Sequence, residues 1–269
     1  MTGPSPAREA PVSARMRALD GSVELAVAEA AAMARTRPEA VTTVLAAAFE
    51  TIGGKAVTPT SVRALPSATR EWLLQCSASA FCPHLHWFEA RCTHCGEPYD
   101  LALDLSHPIY TAPDRGEAEV TVSTSLGARR FAIPCGRHEE AYSELPPTQD
   151  VRRAFAGLCG LSREASAEAQ QFDAHDLDLI DQALEAASPE IADVASTDCP
   201  SCGERTTCRI DPLRFAFTDE DEILGDVHLI AGAYGWGPEE ILGLPARRRV
   251  RCADLVARDR RSGPSGRRR

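Results

Sequence analysis

Two cysteine pairs constrain this chain more than any other feature. Cys92-Thr93-His94-Cys95-Gly96-Glu97 and Cys199-Pro200-Ser201-Cys202-Gly203-Glu204 repeat one C-x-x-C-G-E pattern at an offset of 107 residues. The likeness continues at Leu103/Ile210 and Asp104/Asp211. Each copy reads as extended chain, tight turn, then strand. Two residues between the thiolates let one turn bring both sulfurs onto a single ion at about 2.3 Å. The glycine that follows permits the positive φ such a turn needs. A closed tetrahedral shell takes four ligands, so the spacing predicts a zinc ribbon in which Cys92, Cys95, Cys199 and Cys202 hold one structural Zn2+. His84, His86, His94 and Cys208 lie near enough in sequence to be alternative ligands, but four thiolates already fill the shell. The same cage accepts iron, though nothing in the sequence points to electron transfer. Cys76, Cys82, Cys135, Cys159, Cys208 and Cys252 show no ligand spacing and read as packing residues.

The rest of the composition is that of an ordinary globular chain: 269 residues, 43% hydrophobic and 25% charged. A net charge of −10 argues against nucleic-acid or membrane-surface binding by the body of the protein. The balance is uneven, since ten arginines face two aspartates from Ala246 onward. That local excess reads as a solvated basic tail, or as a segment that docks on an acidic partner or another copy. No apolar window is long enough to span a membrane, and the first twenty residues lack the apolar stretch of a signal peptide. The expected location is the cytoplasm, where cysteines are metal ligands or small buried hydrophobes rather than disulfides.

The pattern along the chain predicts an α+β fold: helical N- and C-terminal parts around the split ribbon, with small antiparallel β elements. Residues 1–20 read as a flexible leader and 21–82 as a helical region. The ribbon halves and a β/helical insertion occupy 83–210, with the second half at 188–210. A helical hairpin follows at 211–258, then a disordered basic tail at 259–269. Ser22 is expected to cap a first helix reaching Pro38, and a second helix is expected from Pro38 to Gly53-Gly54. A third begins near Ser67 and ends before Pro83. HWFEAR and YDLALDL read as strands around the first knuckle, and AEVTVST and RRFAIP as a second strand pair. Residues 160–174, polar and Ala-rich, read as a linker. In the hairpin, Thr218 and Asp221 have capping-box spacing, and Ile223, Val227, Ile230, Ala231 and Tyr234 share one helix face. Gly237 and Pro238 start the next helix, with Trp236 and Ile241 as a hydrophobic staple across the cap. The chain contains no P-loop, dinucleotide fingerprint, nucleophile elbow or His-Glu-x-x-His, and neither cysteine pair follows the proline of a zinc deaminase. The expectation is a protein that is not an enzyme and has no small-molecule substrate.

The run DVHLIAGAYGWGPEEILGLPARRR at 226–249 resembles the closing signature of the T-even phage baseplate hub assembly chaperone family, whose bacterial relatives occur with contractile injection systems. His228, Tyr234, Trp236, Glu240-Ile241-Leu242, Leu244-Pro245 and Arg247–Arg249 carry the likeness. IGG at 52–54, VRALPSATREWLL at 62–74 and the paired C-x-x-C-G motifs fit the bacterial members as well. Arg251-Cys252, where an aromatic is expected, departs from the pattern. The resemblance implies a role in building, or forming part of, the baseplate of a phage-tail-like particle. Its partners would be baseplate, hub or tube proteins. Trp236, Glu240, Arg247, Arg248 and Arg249 are the expected partner-binding residues. The competing reading is a zinc-ribbon nucleic-acid-binding or regulatory protein, favoured by the basic tail and opposed by the acidic body.

Overall fold

The computed structural model describes residues 12–82, 85–105, 118–188 and 194–262. The extreme leader, the last seven residues and His84 lie outside the described residues. The architecture is α+β, with four small antiparallel sheets set among helices in the described residues.

The first body is helical with a strand edge. It comprises β1 (Ala14–Met16), α1 (Gly21–Met33), α2 (Arg37–Ala48), β2 (Phe49–Ile52), β3 (Lys55–Ala56), α3 (Pro59–Arg63) and α4 (Ser67–Phe81). Part of the expected leader is therefore ordered: β1 pairs antiparallel with β2. Asp20, not Ser22, caps α1, its carboxylate accepting from the Val23 amide at 3.0 Å. α2 stops at Ala48, and Phe49–Ile52 form a strand rather than the expected last turn of helix. Gly53 and Gly54 both have positive φ (61° and 74°), the pair a tight hairpin requires, so β2 turns straight into β3. Val27, Val41, Val44, Leu45, Phe49, Val62, Leu73 and Leu74 close the core between these elements.

After α4 come β4 (Leu85–Arg91) and β5 (Pro98–Asp104), the first knuckle hairpin. The insertion then builds β6 (Glu119–Thr124), β7 (Gly127–Ala132), α5 (Gly136–Ser143), α6 (Val151–Cys159), α7 (Ala165–Gln171) and α8 (Ala174–Ala187). It has its own core of Val122, Phe131, Ile133, Phe172, Leu177 and Ile180. The expected linker at 160–174 is thus a packed element. Ala165 and Ala169 of α7 are buried, and an added Cβ on Gly157 of α6 would meet the Ala169 methyl at 3.3 Å. Small side chains, read in sequence as a sign of slack, are here the means of close helix approach.

Arg70 of α4 ties the insertion to the first body. Its guanidinium is 1% exposed, donates to the Pro38 carbonyl (2.6 Å) and Thr42 Oγ1 (2.9 Å), and lies 3.0 Å from the Glu139 carboxylate. It fits only because Gly136 opens α5: a Cβ there would sit 1.6 Å from Arg70 Nη1. Gly136→Ala should therefore cost about 3 kcal/mol by overpacking. Urea unfolding would show this as a lower midpoint at unchanged slope.

The chain returns through β8 (Val194–Asp198), β9 (Arg205–Arg209) and a 3-10 turn at Pro212–Arg214, and ends in α9 (Glu220–Tyr234), α10 (Pro238–Leu242) and α11 (Ala246–Ser262). Asp219, rather than the expected Thr218, caps α9. Ile223, Val227 and Ile230 are buried as the helical period demands. Gly235 closes α9 in the left-handed region (φ 70°), and Gly237 and Pro238 open α10 as expected. α11 continues to Ser262, so the first residues assigned to the tail are helical.

Candidate metal centre

The two hairpins are built alike. In both, the residue five after the first cysteine returns a carbonyl to it: Glu97 O accepts from Cys92 N (3.0 Å) and Glu204 O from Cys199 N (2.9 Å). Gly96 and Gly203 donate back to Cys92 O and Cys199 O, with φ of 75° and 77°. The strand registers match as well, Glu89 opposite Asp100 in one hairpin and Ser196 opposite Thr207 in the other, each pair shifted by the same 107 residues. The repeat legible in the sequence is therefore a repeat of structure.

The four sulfurs converge. Cys92 Sγ lies 3.8 Å from Cys202 Sγ and Cys95 Sγ 3.8 Å from Cys199 Sγ, and all four fall within 4.8 Å of one another. Four sulfurs at tetrahedral positions, each about 2.3 Å from a central ion, stand roughly 3.8 Å apart, so the cage fits a four-thiolate metal site. Cys92 and Cys199 are buried while Cys95 and Cys202 are exposed, one of each kind per knuckle. Backbone amides turn toward the buried sulfurs: His94 N is 3.3 Å and Cys95 N 3.5 Å from Cys92 Sγ, and Ser201 N is 3.4 Å from Cys199 Sγ. The Cys95 and His94 amides hold the Cys92 thiol down, at about 6. At Cys202 the Glu204 amide also favours the thiolate, but desolvation and hydrogen bonding among the sulfurs outweigh it and push the thiol up to about 12. One proton leaves easily and the next is held, as crowded thiols dictate; a divalent cation removes that conflict.

Two contacts between the knuckles were not foreseen. Thr206, fully buried, accepts from the Thr93 amide at 3.1 Å, and His94 Nε2 lies 3.1 Å from the Arg205 carbonyl. His94 is thus a brace between the turns and not a ligand. Cys208 also stays outside the four-sulfur group; it occupies the position of Leu101 in the other copy, and both pack behind the site with Ala90 and Tyr99. Thr206 corresponds by the same shift to Tyr99, so comparing the copies position by position would have marked it.

The expected partner-binding residues divide. Trp236, Glu240, Arg247 and Arg248 are exposed at the turn between α9 and α11. Ile241 is fully buried, while Trp236 pairs with Tyr234, ring centroids 5.2 Å apart, and both aromatics stand partly in solvent. Arg249 is a correction. It is fully buried and forms ion pairs with Glu24 of α1 and Asp226 of α9, the latter at 3.3 Å. A guanidinium enclosed within its own chain cannot anchor a partner, so Arg249 belongs to the fold. The α-helical period places it on the inner face with Ala253 and Val256, and Gly21 leaves it room: a Cβ there would lie 2.8 Å from Arg249 Nη1.

No family model matches this chain, nor does any curated protein or solved structure at a significant level. No helix among the described residues is long and apolar enough to cross a membrane.

Proposed function

We propose that the four-cysteine cage holds zinc as a structural ion. The protein is then a non-enzymatic baseplate component, or an assembly chaperone, of a contractile tail-like particle. The observation that carries the functional half is the 226–249 signature, whose Tyr234, Trp236, Glu240, Arg247 and Arg248 are all exposed, the two aromatics paired with each other. Exposed aromatics and arginines are the usual anchors of protein contacts. The zinc half rests on chemistry: four thiolates with no carboxylate or imidazole suit zinc, and a filled shell leaves no position for a reactive water. Zinc here would fix the two hairpins against each other and perform no reaction.

The test is gentle purification of the tagged protein from its native cell, with companions identified by mass spectrometry and metals by elemental analysis. Sheath, tube or baseplate proteins together with one zinc per chain are the expected result. Companions limited to polymerase subunits or nucleic acid would overturn the assembly reading and favour the regulatory one, for which the exposed Arg251, Arg258, Arg260 and Arg261 on α11 would supply the phosphate contacts.

A further inference from the structure

The two knuckle hairpins provide a comparison within one molecule. They share register, turn geometry and sulfur positions, so corresponding positions can be compared one by one. On the inner faces Tyr99 and its counterpart Thr206 are both buried, though unlike in size. The outer faces differ in charge. The second hairpin carries Val194, Ser196 and Thr207, with Ser196 directly opposite Thr207, a neutral pair suited to an exposed strand. At the corresponding positions the first hairpin carries Trp87, Glu89 and Asp100, with Glu89 directly opposite Asp100.

The difference in charge works against stability. Two carboxylates opposite each other across an antiparallel pair repel, and no ion pair within the chain relieves Glu89 or Asp100 among the described residues. Trp87 is 67% exposed, on the same face, two residues along the strand from Glu89. The second hairpin keeps the same register with Val194, Ser196 and Thr207 in their places, so the register does not require these three residues. Arg91, the next residue along that face, turns its guanidinium to the Gly96 carbonyl at 3.3 Å rather than to either carboxylate. An aromatic face flanked by two carboxylates without an ion-pair partner is complementary to a cation, and above all to guanidinium, which stacks flat on indole while its fork of N–H groups reaches carboxylates. The hairpin is a two-stranded sheet whose outer edges have no strand partner among the described residues. An extended backbone can therefore lie alongside, which favours a polypeptide over a small guanidinium compound.

From this juxtaposition we infer that the outer face of β4–β5 is a docking surface for an arginine-rich segment of a partner protein, with Trp87 as the stacking anchor and Glu89 and Asp100 as the counter-charges. The surface is separate from the Tyr234–Trp236 corner and does not depend on the assembly reading.

The second hairpin also supplies the control variants. Trp87→Val and the pair Glu89→Ser/Asp100→Thr put the other repeat's residues onto a register that already carries them. Fluorescence anisotropy would follow a labelled, arginine-rich extended peptide added to the metal-loaded full-length protein. An otherwise identical peptide with citrulline for arginine keeps the shape and removes the charge. The arginine peptide should bind, the citrulline peptide at least about tenfold more weakly, and each variant should lose about tenfold while keeping its metal and circular dichroism. Equal binding of the two peptides, or undiminished binding by the variants, would overturn the inference. So would sedimentation showing that the protein self-associates through Trp87, because the occupant would then be a second copy.

Discussion

Removing the zinc proposed for the four-cysteine cage should unfold the ribbon and leave the two helical cores standing. The hairpins β4–β5 and β8–β9 have little else to hold them together: their shared apolar cluster is Ala90, Tyr99 and the buried cysteines, with Leu101 and Cys208 partly packed. Closed four-ligand zinc sites contribute on the order of 10–16 kcal/mol to peptides that fold around them, far more than so small a cluster supplies. Cys92→Ser, or a strong chelator, should therefore raise amide exchange across 85–105 and 194–210 by several orders of magnitude. The amides around Val44 and Ile180 should stay protected, since those cores contain no ligand. Elemental analysis should fall from one metal per chain to none. Retention of metal by Cys92→Ser, or unchanged exchange in the ribbon, would show that the four sulfurs are not the site.

The second large effect is expected at Arg249. Replacing it with Met keeps the aliphatic stem but strands Glu24, 7% exposed, and the mostly buried Asp226 without their counter-charge. Breaking a buried ion pair from one side costs about 3–5 kcal/mol, because the remaining charge is desolvated and unpaired. The loss should concentrate where α1 meets the C-terminal hairpin, a junction that also includes the Gly21 amide on the Leu244 carbonyl at 3.2 Å. Urea unfolding measures the total. The sharper check is the double variant Glu24→Gln/Arg249→Met, which removes both charges and should recover about half of the loss. A single variant within about 0.5 kcal/mol of the parent, the range of ordinary surface changes, would mean that Arg249 is solvated and available to partners after all.

Much of this architecture was legible because it is written locally. Cys-x-x-Cys-Gly fixes its own turn, since sulfur spacing and a left-handed glycine are properties of six consecutive residues. α4, α10 and the ribbon strands followed from Gly and Pro punctuation and from alternation, all of which act within a few positions. The misreadings share one cause. Phe49–Ile52 continue a helical composition but become a strand because β1, over thirty residues earlier, offers an edge to pair with. Residues 165–171 look like slack chain until Gly157 admits Ala169.

The sequence by itself determined which four cysteines converge, the turn that presents them, the twofold repetition and the class of fold. Tertiary structure decided which charged side chains are inside. Arg247, Arg248 and Arg249 are identical letters in a row, and only the packing of α11 against α1 and α9 sends the third into the interior and leaves its neighbours in solvent. It likewise decided that Glu89 faces Asp100, since cross-strand register is set by the hairpin as a whole and not by either strand. Turn geometry is a short-range property of the chain; burial and charge pairing depend on what arrives from a distance, because desolvation is felt only once another surface excludes the water.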